Sequence, residues 1–234
     1  MAAICLGVCA YDKMDIKTVT SILNCFPERL IHEFVFVEAT LLPQARNEAF
    51  KIALTRPNWT HFLFVDADQC GFDGRHLKKL VDQDKDIIAG VTSSRKPLSG
   101  KDDLHPTFNP LPDTPKEVTT ETFEVDFTGF FFTLIKREVI EALREDNEIW
   151  FACDREPDQS WYVRKKQLVN QLEGRTLTKS KIEELINFGR FAYEGGTHMG
   201  EDVYFCHKAR RAGFKVWVDA SIRVGHIGQK VFFP

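Results

Sequence analysis

Short apolar runs alternate with amphipathic segments along the first ninety residues. Consecutive apolar residues bounded by polar turns predict buried strands, whereas apolar residues spaced three and four apart predict helices. This alternation is typical of an α/β fold with an open, mostly parallel central sheet flanked by helices. The predicted strands are Ala3–Ala10, Glu33–Val37, His61–Val65 and Asp86–Val91, and the predicted helices are Ile16–Cys25, Pro43–Leu54 and Gly74–Val81.

The regular alternation ends near residue 99. Ser99–Pro115 is rich in Gly, Pro and Asp and predicts a long loop that could fold over a site. Gly213 follows a helical pattern and is expected to end that helix. The remaining predictions are strands at Glu117–Asp126, Gly129–Ile135 and Lys215–Val218, helices at Lys136–Arg144 and Gly200–Ala212, a short buried segment at Trp150–Ala152, and a turn-rich tail at Arg223–Gly228.

The stretch Arg155–Arg190 is polar and rich in lysine. It contains two weakly amphipathic segments, Val163–Leu172 and Thr178–Asn187, which predict helices. We therefore expect residues 1–234 to form a single domain with a helical insertion at 155–190.

Composition excludes several classes of protein. The formal net charge is −3, from 31 Lys and Arg against 34 Asp and Glu, so the chain lacks the basic excess of nucleic-acid and polybasic membrane binders. Twenty phenylalanines can form a core, which excludes disorder. The six cysteines contain no CxxC pair and indicate a reducing, cytoplasmic location. Without an uncharged stretch of about 18 residues, no integral membrane segment is expected.

Two carboxylates follow the most apolar strand directly. Asp66 and Asp68 come where this strand leaves the sheet, and ligands bind at the carboxyl ends of such strands. Asp82 and Asp84 have the same spacing but lie around a helix end, so the spacing alone is a weak signal. Paired carboxylates suit Mg²⁺ or Mn²⁺, whereas the alternative is a pair of turn-forming aspartates.

A second acidic pair, Glu201 and Asp202, opens the late helix after a glycine-containing segment. Acidic residues in the first turn of a helix are ordinary, since the helix dipole favours negative charge there. The alternative is that one carboxylate removes a proton from an acceptor hydroxyl.

Two further residues are candidates on weaker grounds. His226 lies between two glycines and could complete a metal site begun by Asp68, although a lone histidine is more often structural. Arg46, near the start of the second helix, offers a planar guanidinium to a nucleobase, ribose or phosphate. Its position on the helix fits a solvated surface arginine equally well.

The ordered set of these motifs resembles the GT-A fold glycosyltransferases, in particular glycosyltransferase family 2 and its virus- and phage-encoded relatives. The resemblance extends over nearly the whole chain except for 99–115 and 155–190, and no single motif would suffice for it. The insertion is longer than expected for the family. The residues that support the resemblance are Tyr11 after the first strand, Ala45-Arg46-Asn47, Asp66-Ala67-Asp68, Thr128-Gly129-Phe130, Gly200-Glu201-Asp202 and Gly225-His226.

The resemblance implies a role for each motif. The last Asp of the DxD motif, here Asp68, would bind Mn²⁺ or Mg²⁺, and the first, Asp66, would contact the donor ribose or a metal-bound water. His226 would be a further metal ligand. The nucleotide pocket would be lined by Tyr11, Arg46 and Ala67, and Gly129 would lie beneath the sugar. Asp202, with Glu201 as the less favoured candidate, would be the catalytic base.

These implications define an expected activity. The chain would be a hexosyltransferase that moves a sugar from a nucleotide-diphosphate sugar, expected to be UDP-linked, to a glycan, glycoprotein or glycolipid hydroxyl in viral or bacterial glycan synthesis. If the chain is virus-encoded, its location would be the host cytoplasm. The resemblance favours inversion, although the residues themselves leave both stereochemical outcomes open.

Two alternatives remain from the sequence. A nucleotidyltransferase acting on a sugar phosphate would also use a parallel sheet and a metal, but residues 9–15 lack the glycine-rich loop that binds a triphosphate. A non-catalytic nucleotide-sugar or carbohydrate-binding module would retain the fold without needing the acidic pair.

Overall fold

The central strands are apolar on both faces, and this determines how the helices pack. The computed structural model describes residues 2–11, 13–38, 41–92, 107–111, 121–144, 148–156, 197–228 and 231–232. In the strand His61–Asp66, Phe62 and Phe64 belong to one hydrophobic cluster and Leu63 and Val65 to another. Since successive side chains of a strand point to opposite faces, both faces of the sheet need a covering layer.

Within the described residues the strands are β1 (Ile4–Ala10), β2 (Ile31–Glu38), β3 (His61–Asp66), β4 (Gln69–Cys70), β5 (Ile87–Val91), β6 (Phe108–Pro110), β7 (Thr122–Thr128), β8 (Phe132–Lys136), β9 (Asp154–Glu156), β10 (Thr197–Met199), β11 (Val216–Arg223), β12 (Gly225–Ile227) and β13 (Val231–Phe232). The helices are α1 (Ile16–Leu23), α2 (Leu42–Leu54), α3 (Gly74–Asp82), α4 (Arg137–Ala142) and α5 (Glu201–Arg211), and Phe26–Glu28 forms a 3₁₀ turn.

Helices cover both faces of the sheet. Phe50 of α2 and Phe205 of α5 belong to the cluster that contains Phe62. Ile22 of α1 and Leu77 of α3 belong to the cluster on the opposite face. The predicted layering of an α/β fold is therefore confirmed.

The main sheet is mixed, and six of its eight described strands run in one direction, as predicted for a mostly parallel sheet. Its eight described strands follow the order β2-β1-β3-β8-β5-β11-β7-β6. Parallel pairs join β1 to β2 and β3, and β5 to β11, whereas β7 and β8 run against the other six strands. Because β8 is reversed beside β3, Phe132 at its start pairs with Val65 at the end of β3. The connection before β8 therefore lies at the edge where β3 ends.

Two segments that read as loops contain strands. β6 lies within the predicted loop Ser99–Pro115, because Phe108 and Asn109 pair with β7. β12 lies within the predicted tail and pairs with both β4 and β13. Tertiary pairing overrides a local sequence that is rich in Gly, Pro and Asp in the first segment and that contains two glycines in the second. Gly213, in contrast, ends α5 as predicted, with φ of 93°.

The chain divides into two compact units, residues 1–152 with 201–234, and residues 153–200. In the second unit β9 and β10 form an antiparallel pair in which Thr197 is opposite Glu156. The helices predicted at Val163–Leu172 and Thr178–Asn187 lie outside the described residues. No helix in the described ranges has the length and apolar character needed to cross a bilayer.

Candidate active site

The turn Asp66–Asp68 at the end of β3 is fixed by backbone hydrogen bonds to three other segments. The N–H of Asp66 donates to the Phe131 carbonyl at 3.2 Å. The carbonyl of Ala67 accepts from the N–H of Asp15 at 2.9 Å. The carbonyl of Asp68 accepts from the N–H of Ile227 at 2.8 Å. Because its peptide groups are held from three directions, the turn presents its two carboxylates in defined positions.

His226 reaches this turn from the far end of the sequence. β12 pairs antiparallel with β4, and this register sets His226 opposite Gln69. The imidazole Nε2 lies 3.6 Å from Oδ1 of Asp68. The Gln69 side chain donates to the same oxygen at 3.2 Å. The structure thus brings together the carboxylate and the imidazole that the sequence nominated as metal ligands.

A cavity of about 750 Å³ opens over this turn. It lies at the carboxyl ends of β1 and β3, where open α/β sheets bind ligands. The lining residues are Cys9, Ala10, Tyr11, Lys13, Met14, Asp15, Ile16, Leu42, Asp66, Ala67, Asp68, His226 and Ile227.

Asp68 and His226, which line the cavity, fit a hard divalent cation that takes its remaining ligands from a bound phosphate. In the described part of the chain, no group of three or more His, Cys, Asp and Glu side chains is arranged to hold a metal ion by itself. Mg²⁺-type ions need only one or two protein ligands when substrate phosphates supply the others. Asp68 and His226 meet that requirement, since a carboxylate and an imidazole suit Mn²⁺.

Arg46 joins the DxD turn to the acidic pair of α5. Its Nη2 lies 3.3 Å from Asp66 Oδ1. Its Nη1 lies 3.1 Å from Glu201 Oε1 and also binds Oδ1 of Asp202. One guanidinium therefore contacts three carboxylates from two distant parts of the chain.

The guanidinium lies in an aromatic cage. Its carbon is 5.7 Å from the ring centre of Phe64, 5.5 Å from that of Phe130 and 5.7 Å from that of Phe151. The Arg46 side chain is 1% exposed, and its buried Nε has no hydrogen-bond partner among the residues that the structure describes. This burial contradicts the reading of Arg46 as a solvated surface arginine. Arg46 is not among the residues that line the cavity, and its expected contact with a nucleotide stays a prediction.

The surroundings of Asp66 shift its ionisation in two directions. Burial raises the pKa of this carboxyl above its ordinary value, and the adjacent Arg46 opposes the shift. The negative charge of Glu201 raises the pKa further.

The other predicted site residues fall into two groups. Tyr11 and Ala67 line the cavity, and the Tyr11 side chain is 67% exposed. Gly129, Glu201 and Asp202 are described by the structure but are not among the lining residues. The two acidic side chains are partly exposed, at 17% and 26%.

Gly129 has a packing reason for its lack of a side chain. Gly129 lies in the connection before β8, and its N–H donates to the Thr107 carbonyl at 2.8 Å. A Cβ added there would lie 3.0 Å from Cδ1 of Phe131. Its predicted place beneath a sugar stays a prediction.

Sequence reasoning missed the cavity residues that follow β1. Lys13, Met14, Asp15 and Ile16 line the cavity beside Tyr11. Their position after the carboxyl end of a central strand was the available signal. Leu42 was missed as well, although it opens the helix that carries Arg46.

Comparisons with known proteins identify the fold. No protein-family model and no curated protein matches the sequence. Among solved structures, the chain is similar to A197 from STIV, with 14% identity, a TM-score of 0.54, and coverage of 99% of this chain and 93% of that one. It is also similar to GalNAc-T7, solved with UDP, GalNAc and Mn²⁺, with 13% identity and a TM-score of 0.55. That match covers 97% of this chain and 44% of GalNAc-T7. The chain therefore has a GT-A glycosyltransferase-like fold.

Proposed function

We propose that the chain is a glycosyltransferase that moves a sugar from a nucleotide-diphosphate sugar to an acceptor hydroxyl with the help of Mn²⁺ or Mg²⁺. The observation that supports this most strongly is the meeting of Asp68 and His226 at the floor of a cavity that also contains Tyr11 and Asp66. The chemistry of these groups matches the parts of such a donor.

The donor site is assembled from residues of the cavity. Tyr11 offers an exposed aromatic ring to a nucleobase, and Asp66 and Ala67 form the wall beside a ribose. Asp68 and His226 would hold the cation, with donor phosphate oxygens as the other ligands. When bound, the cation supplies Lewis-acid stabilisation of the diphosphate leaving group.

The acidic pair of α5 supplies the base. Asp202 takes the proton of the acceptor hydroxyl as that oxygen attacks the anomeric carbon. A new carbon–oxygen bond forms, and the bond from the anomeric carbon to the diphosphate breaks. The nucleoside diphosphate leaves with the bonding electrons, and attack from the opposite face inverts the configuration. Glu201 is the second candidate for the base.

The comparisons and the composition of the core are consistent with this proposal. GalNAc-T7 shares the fold and was solved with UDP, GalNAc and Mn²⁺, so we favour a UDP-linked donor. The acceptor is a glycan, glycoprotein or glycolipid. The buried cysteines at 5, 9, 25, 70 and 206 are free thiols, in keeping with the proposed cytoplasmic location.

The first test is a screen of nucleotide sugars for release of free nucleotide with and without Mn²⁺. A glycosyltransferase hydrolyses its donor slowly in the absence of acceptor, whereas a binding module only binds it. Release of pyrophosphate from a nucleoside triphosphate and a sugar phosphate would instead indicate a nucleotidyltransferase.

Calorimetry with UDP and Mn²⁺ then tests the metal ligands. We expect Asp68→Ala and His226→Ala each to weaken Mn²⁺-dependent UDP binding by about 10–100-fold, since each removes a charged or metal-binding contact. Asp82→Ala is the matched control, because Asp82 has the same DxD spacing but lies exposed beside Lys78. Equal affinity in the wild type and Asp68→Ala would refute the metal assignment.

A further inference from the structure

The residue after Arg46 holds a different segment of the same region. The Asn47 side-chain oxygen accepts the backbone N–H groups of Trp150 and Phe151, each at 2.9 Å. Its amide nitrogen donates to the Phe151 carbonyl at 2.8 Å. One amide thus satisfies three backbone groups that no strand or helix would satisfy.

Arg46 and Asn47 both contact Phe151. The ring of Phe151 is one of the three that enclose the Arg46 guanidinium. It also stacks on Phe205 of α5 at 4.7 Å with an interplanar angle of 14°. Asn47 therefore fixes a ring that packs on the arginine and on the helix that begins with the acidic pair. These contacts link α2, α5 and the segment at 150–151 pairwise, and we call this set of contacts the shared circuit.

Stability alone does not explain a charge in this place. Removing a guanidinium from water costs several kcal/mol, and hydrophobic residues often replace buried ion pairs without loss. In the described part of the chain, the buried Nε of Arg46 also has no partner. A positioning role does explain the buried charge. The planar guanidinium binds Asp66 through Nη2 and Asp202 through Nη1, and it therefore fixes both the distance and the direction between these two carboxylates.

We infer that Arg46 and Asn47 form a positioning clamp that sets Asp202 and Asp66 in a fixed relation for the transfer reaction. Arg46 holds the carboxylates directly, and Asn47 holds the aromatic cage closed over Arg46. The clamp contacts residues on either side of 153–200, so the acidic pair is anchored where the chain returns from that segment. The catalytic part of this inference rests on the proposed function.

Hydrogen exchange tests the clamp without reference to activity. We expect Asn47→Ala and Arg46→Lys each to raise amide exchange at 150–151 and in the hydrogen-bonded part of α5, from residue 205 onward, by about tenfold or more, because each breaks the shared circuit. Arg75→Lys is the control. Arg75 also binds a carboxylate through two nitrogens, that of Asp73, but its side chain is 85% exposed.

A double-mutant cycle tests the positioning role. With the donor found in the screen, Arg46→Lys should lower kcat at least tenfold. In an Asp202→Asn background the same change should have little further effect, because the carboxylate it positions is already absent. Asn47→Ala in the same cycle provides an independent reading should Arg46→Lys fail to fold.

The outcomes separate the two proposals. A wild-type protein that turns over no nucleotide sugar refutes the proposed function, while hydrogen exchange still decides whether the circuit exists. Turnover in the wild type combined with an unchanged kcat in Arg46→Lys, or with losses that add fully in the cycle, overturns the clamp. Exchange confined to the segment next to each substitution overturns it as well.

Discussion

Two buried charges in this fold are compensated to different degrees. The Asp219 side chain in β11 is fully buried, and both its oxygens are satisfied. Ser221 donates to Oδ1 from its N–H at 2.9 Å and its hydroxyl at 2.6 Å. Gln83 donates to Oδ2 at 2.6 Å, and Lys79 lies 3.0 Å from it. The Arg46 guanidinium, in contrast, contacts three carboxylates, and its buried Nε–H has no partner within the described ranges.

Under the proposed function, the contrast separates a structural site from a catalytic one. Asp219 has donors enough to outweigh the cost of its burial, as expected of a group that only stabilises the fold. The Arg46 guanidinium binds Asp66, which lines the cavity, and its Nε has no partner among the described residues. A buried polar atom without a partner calls for an explanation, because local rules of stability are broken mainly at functional sites.

Replacing the proposed base should give the largest effect and test this contrast most directly. We expect Asp202→Ala to lower donor turnover by about 10²–10⁴-fold, the usual contribution of a positioned base. Asp66 and Glu201 remain to neutralise Arg46, so the fold should keep its stability. Turnover assays with calorimetry of UDP and Mn²⁺ check this, and UDP affinity should stay at the wild-type value. Unchanged turnover would move the base to Glu201 or elsewhere.

The reverse result is expected at Asp219. Asp219→Ala removes the charged acceptor of the half-buried Gln83 and Ser221, and a hydrogen bond to a charged group contributes about 1.5–3 kcal/mol, while Lys79 can turn to solvent. We therefore expect the free energy of unfolding to fall by about 2–3 kcal/mol. Denaturant unfolding measures this, with Asp82→Ala as an exposed control. Turnover per folded molecule should not change, and a loss of turnover would break the contrast between the two sites.

The sequence predicts those site residues whose position depends on a single strand or helix. Asp66 and Asp68 were identified because a buried strand ends at them, and an open sheet has its binding edge there. His226 was nominated on its glycine neighbours and the family resemblance. The pairing of β12 with β4 that brings it to Asp68 was not predicted, since no local pattern encodes which short strands meet.

The burial of Arg46 was missed although a signal existed. Arg46, Ala49, Phe50 and Ala53 follow the i, i+3, i+4, i+7 spacing of one helix face, and all are buried. The face was therefore readable as packed, and the arginine on it as internal. Its three carboxylate partners were not readable, because they depend on the crossing of α2, β3 and the start of α5. Asp219 was likewise missed, as β11 was predicted to end at Val218.

The smallest effect expected is a pH dependence that the two sites should not share. Burial tends to raise the pKa of Asp219, but hydrogen bonds from Ser221 and Lys79 outweigh it and hold that pKa below its ordinary value of 3.8. A carboxylate with a lowered folded-state pKa stabilises the fold above its unfolded pKa, and this stability is lost as pH falls through the folded value. The gap in unfolding free energy between the wild type and Asp219→Ala should thus be constant near neutral pH and narrow below pH 3.8. Denaturant unfolding at about pH 7 and about pH 3 measures the gap. An undiminished gap in acid would mean that Asp219 stabilises the fold by packing rather than by its charge.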